Sequence, residues 1–261
     1  MSISALVPMD GLAGYQFLQR TRDQQEDLVA QTPMAQRLQT AFKERIGSID
    51  TPAQLVNDRE LLEVALGAFG LSSDIDSKFF IQKVLEEGTT DSTALANKLS
   101  DQRYQDFSKA FGFGDRATPR TKLSGFADEI LSQFKSASFE VSVGDQDESL
   151  RIALNADRML EEIASSDDTS RIKWLSIIGN EPLLELVQGA LGLPDGVTQL
   201  DLDRQVEIYE EKLSRQMGID IDGLTDSEQR DKLIERYLIR ASVDSFDTSS
   251  PGALALTLLS G

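Results

Sequence analysis

The sequence predicts an all-α, multi-helical fold built from two pseudo-repeated helical units, with at most one short strand or β-hairpin. Three observations predict it. First, residues 61–71 read LLEVALGAFGL and residues 183–193 read LLELVQGALGL. Aligned without gaps they match at Leu61/Leu183, Leu62/Leu184, Glu63/Glu185, Gly67/Gly189, Ala68/Ala190, Gly70/Gly192 and Leu71/Leu193, an offset close to half the 261-residue chain. Second, apolar residues recur three and four apart along nearly all of the sequence, which places them on one face of a helix. Third, residues that start helices and glycines that stop them punctuate these stretches.

The elements follow in order. In Thr51-Pro52-Ala53-Gln54, Thr51 caps free amides, Pro52 suits the first helical position and Gln54 completes a capping box. Asp58 caps the next helix, whose face carries Leu62, Leu66 and Phe69. Gly70 lies just past it, where a left-handed residue is needed, and Gly192 holds the same place in the second copy. Asp76 opens a helix with Phe80, Ile81, Val84 and Leu85, closed by Gly88. Leu95 and Leu99 mark a short helix. Asp101 caps one bearing Tyr104, Phe107 and Phe111, ended by Phe111-Gly-Phe-Gly-Asp115. Residues 114–122 read as a linker, and Ser124 restarts a helix with Phe126, Ile130 and Phe134. Residues 139–143, FEVSV, alternate as a short strand does. A long helix runs from Asp147 through Ile152, Ala156, Met159 and Ile163. Ser170 caps a segment with Trp174 and Ile178. After the second glycine motif, LPDGV turns into a helix over Val206–Leu213. Thr225-Asp226-Ser227-Glu228 forms another capping box before Leu233, Ile234, Tyr237 and Leu238. Residues 241–252, rich in Ser and Asp, read as loop. The organisation is therefore 1–115, a first helical unit with an N-terminal segment; 123–240, a second unit; and 241–261, a C-terminal tail.

Composition narrows the function. Twenty-six basic against 44 acidic residues give a net charge of −18, and no basic cluster offsets it. Such a surface repels phosphate backbones, so nucleic acid is excluded as a partner. The sequence contains no His and no Cys. That removes serine–histidine and thiolate catalysis, disulfides, and tight zinc or copper sites. The N-terminus has no basic residue before Arg20 and no continuous apolar stretch, so no Sec signal peptide is expected. No apolar run approaches the ~20 residues that span a bilayer. A soluble, cytoplasmic protein without membrane insertion is expected.

Four stretches resemble an uncharacterised bacterial family, domain of unknown function 1217. They are NDRELLEVALGAFGLSSDIDSKFFIQKVLEEG, LANKLSDQRYQDFSKAFGFGD, FEVSVGDQDESLRIALNADR and ALGLPDGVTQLDLDRQVEIYEEKL, and they cover most of residues 50–240. The resemblance implies an all-helical fold without known enzymatic activity. It also implies a setting among flagellar and motility genes. It supplies no catalytic residues to carry over.

Candidate chemistry is sparse. Asp220, Asp222, Gly223, Asp226, Glu228 and Asp231 suggest a calcium loop, but counted from Asp220 the sixth position is Thr225 and the twelfth Asp231, where Gly and Glu are required. Glu161-Glu162 and Asp167-Asp168 are adjacent acids in polar stretches and read as solvated charge. Phe111–Gly114 lacks the spacing and the Lys-Ser/Thr pair of a phosphate loop. No catalytic, metal-ligating or cofactor-binding residue is assigned, and no cofactor is expected.

Partner binding remains. In the terminal segment Ala253–Leu259, Leu254, Leu256 and Leu258 repeat with the period of an extended strand, which gives one apolar face. These three are the candidate partner-binding residues; the other reading packs the tail on its own chain. Leu12, Tyr15, Phe17 and Leu18 pose the same question at the N-terminus. The expectation is a non-catalytic helical scaffold or adaptor with a protein partner, in flagellar assembly or motility. The rivals are a small-molecule or peptide binder in a cleft between the halves, and a carboxylate-dependent hydrolase. No oligomeric state is assigned.

Overall fold

The computed structural model describes residues 4–249. Their regular structure is helical throughout, and no strand occurs among them. In chain order the α-helices are α1 (Gly11–Ala30), α2 (Pro33–Arg45), α3 (Pro52–Asn57), α4 (Arg59–Ala68), α5 (Lys78–Glu87), α6 (Leu95–Lys98), α7 (Arg103–Phe111), α8 (Phe126–Gly144), α9 (Glu148–Ser165), α10 (Ser170–Ile178), α11 (Glu181–Leu191), α12 (Leu202–Met217) and α13 (Ser227–Ser249). They belong to two compact units. The first comprises residues up to Leu6 with Thr21–Val143; the second comprises Val7–Arg20 with the chain from Gly144 onward.

In the first unit the buried faces of α2, α3, α4, α5 and α7 meet around Phe42, Leu61, Leu66, Val84 and Phe107. Phe111 contacts Phe107 at 5.1 Å between ring centroids and Phe126 edge-on at 5.2 Å, which ties α7 to the start of α8. The ends of α5 and α7 are joined by Asp115. Its carboxylate accepts from the backbone N–H groups of Thr89 (2.6 Å) and Thr90 (2.8 Å) and from both threonine hydroxyls (2.9 Å each). Burial pushes the Asp115 carboxyl up, but these four donors outweigh it and hold the group below the usual carboxylate range.

In the second unit α9, α11 and α13 pack through Leu150, Leu183, Leu186 and Leu233, with the Trp174 and Tyr209 rings stacked 5.7 Å apart. Two buried cations are partnered. Arg230, 4% exposed, donates to Asp157, to Glu161 and to the carbonyls of Leu224 and Thr225. Lys173 donates to the Ala164 carbonyl and to Asp222. Buried charges persist only when partnered in this way.

Local rules account for most boundaries. Thr51 accepts from the Gln54 amide while Gln54 accepts from the Thr51 amide, so both halves of the capping box form. Asp58 caps α4 through the Leu61 amide. Gly70 and Gly192 both have positive φ, +68° and +62°. The Leu71 N–H reaches the Leu66 carbonyl (2.9 Å) and the Leu193 N–H reaches the Gln188 carbonyl (3.0 Å), so each glycine sits in a Schellman turn.

Other expectations are corrected. Residues 139–143 are the end of α8, not a strand. Phe139 and Val143 are buried one turn apart while Val141 is exposed, so the alternation in FEVSV was accidental to a helical face. Residues 241–249 continue α13, because neither glycine nor proline interrupts the sequence before Pro251. Thr169, not Ser170, caps α10, and Asp226 accepts at the start of α13. Asp76 does not cap α5 but pairs with Arg59 at 2.9 Å. The stretch 114–122 lies in the first unit and includes a 3-10 turn over Arg120–Lys122. Tyr15 and Leu18 are buried in α1. Leu254, Leu256 and Leu258 lie outside the described residues.

Candidate functional site

A wide concavity forms on α11 in the second unit. Asn180 starts this helix by accepting from the Leu183 amide, with Pro182 in the first turn. One face of the helix, Leu183, Leu186, Val187, Ala190 and Leu191, enters the core. The opposite stripe, Glu181, Leu184, Glu185, Gln188, Gly189 and Gly192, lines an open groove of about 810 Å³. Its second wall is α13, through Tyr237, Arg240, Ala241 and Val243, with Ser149 of α9 and Leu193 and Asp195 beyond the end of α11.

Glycine sets how closely these walls meet. A Cβ on Gly189 would stand 2.9 Å from Cδ2 of Tyr237, so only glycine lets the ring lie against the helix. The Tyr237 hydroxyl donates to Oε1 of Glu185 at 3.0 Å. Burial first, and then the Glu185 charge, push the phenol far above its usual range, so it stays a donor. Arg240 donates to the Gly189 carbonyl (3.1 Å) and Arg236 to the Ala190 carbonyl (3.3 Å), placing positive charge at the C-terminal end of α11. A Cβ at Gly192 would collide with the Arg240 guanidinium. Gln188 forms part of the floor. Its Oε1 accepts from Tyr209, whose phenol burial pushes up to about 12.

The first unit contains a smaller concavity of about 360 Å³ on the matching helix, α4. Arg59, Glu63 and Gly67 line it, at the positions that correspond to Glu181, Glu185 and Gly189, together with Ser72 and Ile75. The other wall is α8, through Phe134, Ala137, Ser138 and Val141. A Cβ on Gly67 would stand 2.8 Å from the Phe134 ring, as one on Gly189 would from Tyr237. Arg103 donates to the Gly70 carbonyl at 2.6 Å. Phe134 has no hydroxyl, so the tyrosine–glutamate bond belongs to the second unit alone.

The acidic candidates are dispersed into structural roles. Asp220 accepts from the Gly223 amide, Asp222 pairs with Lys173, Asp226 starts α13 and Glu228 pairs with Lys232. Asp231 accepts from Gln19. Glu161 serves Arg230, and Asp168 accepts from Ser166. Among the described residues no group of three or more acidic side chains converges as a metal site would, and no helix is long and apolar enough to cross a membrane. The sequence contained one signal for the groove that went unread: Gly67 and Gly189 match across the two segments, and neither glycine stops a helix.

Comparison with known proteins places the chain. The model of a family described as a protein of unknown function (DUF1217) matches residues 68–229, more than half of the chain. The crystal structure of a structural-genomics target protein from Agrobacterium tumefaciens is similar, with a TM-score of 0.75 and 25% sequence identity over 95% of this chain and 100% of that one. No curated protein matches.

Proposed function

The chain belongs to the DUF1217 family of proteins of unknown function, and from that premise we propose that it is a non-catalytic helical scaffold that holds a partner polypeptide in the α11–α13 groove. One observation carries this reading: an open stripe along α11, floored by Gly189 and Gly192 and flanked by Leu184, Leu193, Ala241 and Val243, with no described element laid over it. The space at the two glycines is taken by Tyr237 and Arg240, and it is the neighbouring apolar side chains that give a foreign chain something to bury. Three of the groove's polar groups are committed to the fold: Glu185 to Tyr237, Gln188 to Tyr209, Arg240 to a helix end. That commitment favours binding over acid–base chemistry. The α4–α8 concavity is the reduced counterpart, as a duplicated scaffold would leave when one copy specialises. The setting in flagellar assembly or motility rests on the family resemblance.

A photo-crosslinking residue at Leu184, compared with one at exposed Glu210 on α12, tests the reading in the native cell. We expect a defined protein adduct from position 184 only. Identical adduct patterns from the two positions would sink the proposal. A swimming assay after gene deletion tests the setting separately, and normal swimming would remove it.

A further inference from the structure

The charges in the α11–α13 groove select the kind of polypeptide it takes. We propose that its occupant is a basic segment, in which a Lys or Arg pairs with Glu181 and Glu185 while neighbouring apolar side chains settle among Leu184, Leu193, Ala241 and Val243. This rests on the groove being a polypeptide receptor and adds the chemistry of the partner.

Three exposed carboxylates line the groove, Glu181 and Glu185 on α11 and Asp195 beyond its end, against one guanidinium, that of Arg240. Arg240 is turned to the Gly189 carbonyl, where it offsets the negative end of the helix dipole. Glu185 accepts from the Tyr237 hydroxyl and Asp195 from the Gln188 amide at 3.4 Å, both neutral donors that leave the charges uncompensated. Glu181 has no hydrogen bond or ion pair with a described residue. Glu181 and Glu185 stand one helical turn apart, about 6 Å, so one cationic head can reach both. Because Tyr237 meets Glu185 and Arg240 meets Gly189, α13 runs the same way as α11, and Ala241 and Val243 lie toward the Gly192 end. The acidic pair therefore sits at one end of the groove and the apolar side chains gather toward the other.

The first unit shows that the fold does not require this charge. Position 59 corresponds to position 181 and holds Arg59, paired with Asp76 at 2.9 Å. Both residues open their helices, α4 and α11. A carboxylate in a first turn gains from the helix dipole, but Arg59 forgoes that gain, so a helix start here accepts either sign. Glu63 and Gly67 match Glu185 and Gly189, and Arg59 and Glu63 are the charged residues that line the smaller concavity. Reversal at one position thus separates a balanced concavity from an acidic groove. A chain of net charge −18 attracts basic partners at long range, and the groove adds a local site where such a partner is oriented.

A random dodecapeptide phage library supplies the probe. It is selected on the immobilised full chain after depletion on the double variant Leu184→Gln, Val243→Gln, which removes apolar contacts from the groove without adding a charge. Lys or Arg beside apolar residues should be enriched among the peptides that remain. Synthetic copies of these peptides are then titrated by calorimetry against the wild-type chain, Glu181→Gln, Glu181→Arg and Glu210→Gln. The last lies on α12 and changes the net charge as Glu181→Gln does. Circular dichroism and the melting temperature establish that each variant is folded. Glu181→Gln should weaken binding roughly two- to fivefold, the loss of one exposed ion pair. Glu181→Arg, which installs the charge found at position 59, should weaken it further, and Glu210→Gln should leave it unchanged. High salt should erase these differences. Equal affinity for the Glu181→Gln and Glu210→Gln variants, or groove-dependent peptides without basic residues, would overturn the basic partner and leave the receptor standing. Failure to recover any groove-dependent peptide would overturn the receptor itself.

Discussion

Glycine 192 shows how much one residue settles in this fold. Its positive φ ends α11, and the missing Cβ leaves room for Arg240. Gly70 shares the conformation, but a Cβ there would meet Arg103 only at ordinary contact distance, 3.5 Å. Gly70→Ala should therefore cost about 1 kcal/mol. Gly192→Ala should cost about the same, because the Cβ meets only the flexible end of Arg240, which can swing aside; a much larger loss in urea unfolding would mean that the guanidinium is held in place. Asp115 gives a pH-dependent case. Its folded pKa is depressed below 3.8, so its stabilisation is present above that value and is lost as pH falls through the folded pKa. Asp115→Asn should lower the melting temperature more at pH 7 than in acid below the folded pKa. A constant difference at both pH values would contradict the clamp. Positive φ at 70 and 192 could be read from the sequence because few residues other than glycine tolerate it. The need for glycine at 67 and 189 could not, because it arises from rings at 134 and 237 that only the fold brings close.

At the scale of elements, the caps were the most legible feature. The Thr51–Gln54 box forms as its spacing requires, and Thr51→Ala should cost about 1 kcal/mol in thermal or urea unfolding. An unchanged stability would mean that α3 is held by packing alone. Short alternating stretches were the least legible. FEVSV has strand-like chemistry, but burial of Phe139 and Val143 one turn apart decides for helix, and that burial depends on residues far away in sequence. The polar composition of 241–249 likewise concealed a continuing helix. Where α11 meets α13, Gly189→Ala must displace the Tyr237 ring, an overpacking cost of about 1–3 kcal/mol. Combining it with Tyr237→Ala should recover much of that cost in a double-mutant cycle, whereas simple additivity would deny the contact.

For the molecule as a whole, sequence reasoning reached the all-helical class and the two matched segments. It did not reach the groove, which requires α13 to dock beside α11 and is written in no local pattern. The absence of His and Cys and the net charge of −18 narrowed the partners without naming one. The central claim is that this groove holds polypeptide. Its most direct test is the affinity of the captured partner, measured by calorimetry, for the wild-type chain and for Leu184→Arg. Leu184 is half-buried on the open stripe, so an arginine there can reach solvent while obstructing the groove. The account predicts at least a tenfold loss of affinity with little change in melting temperature, and equal affinity for the two proteins would contradict it.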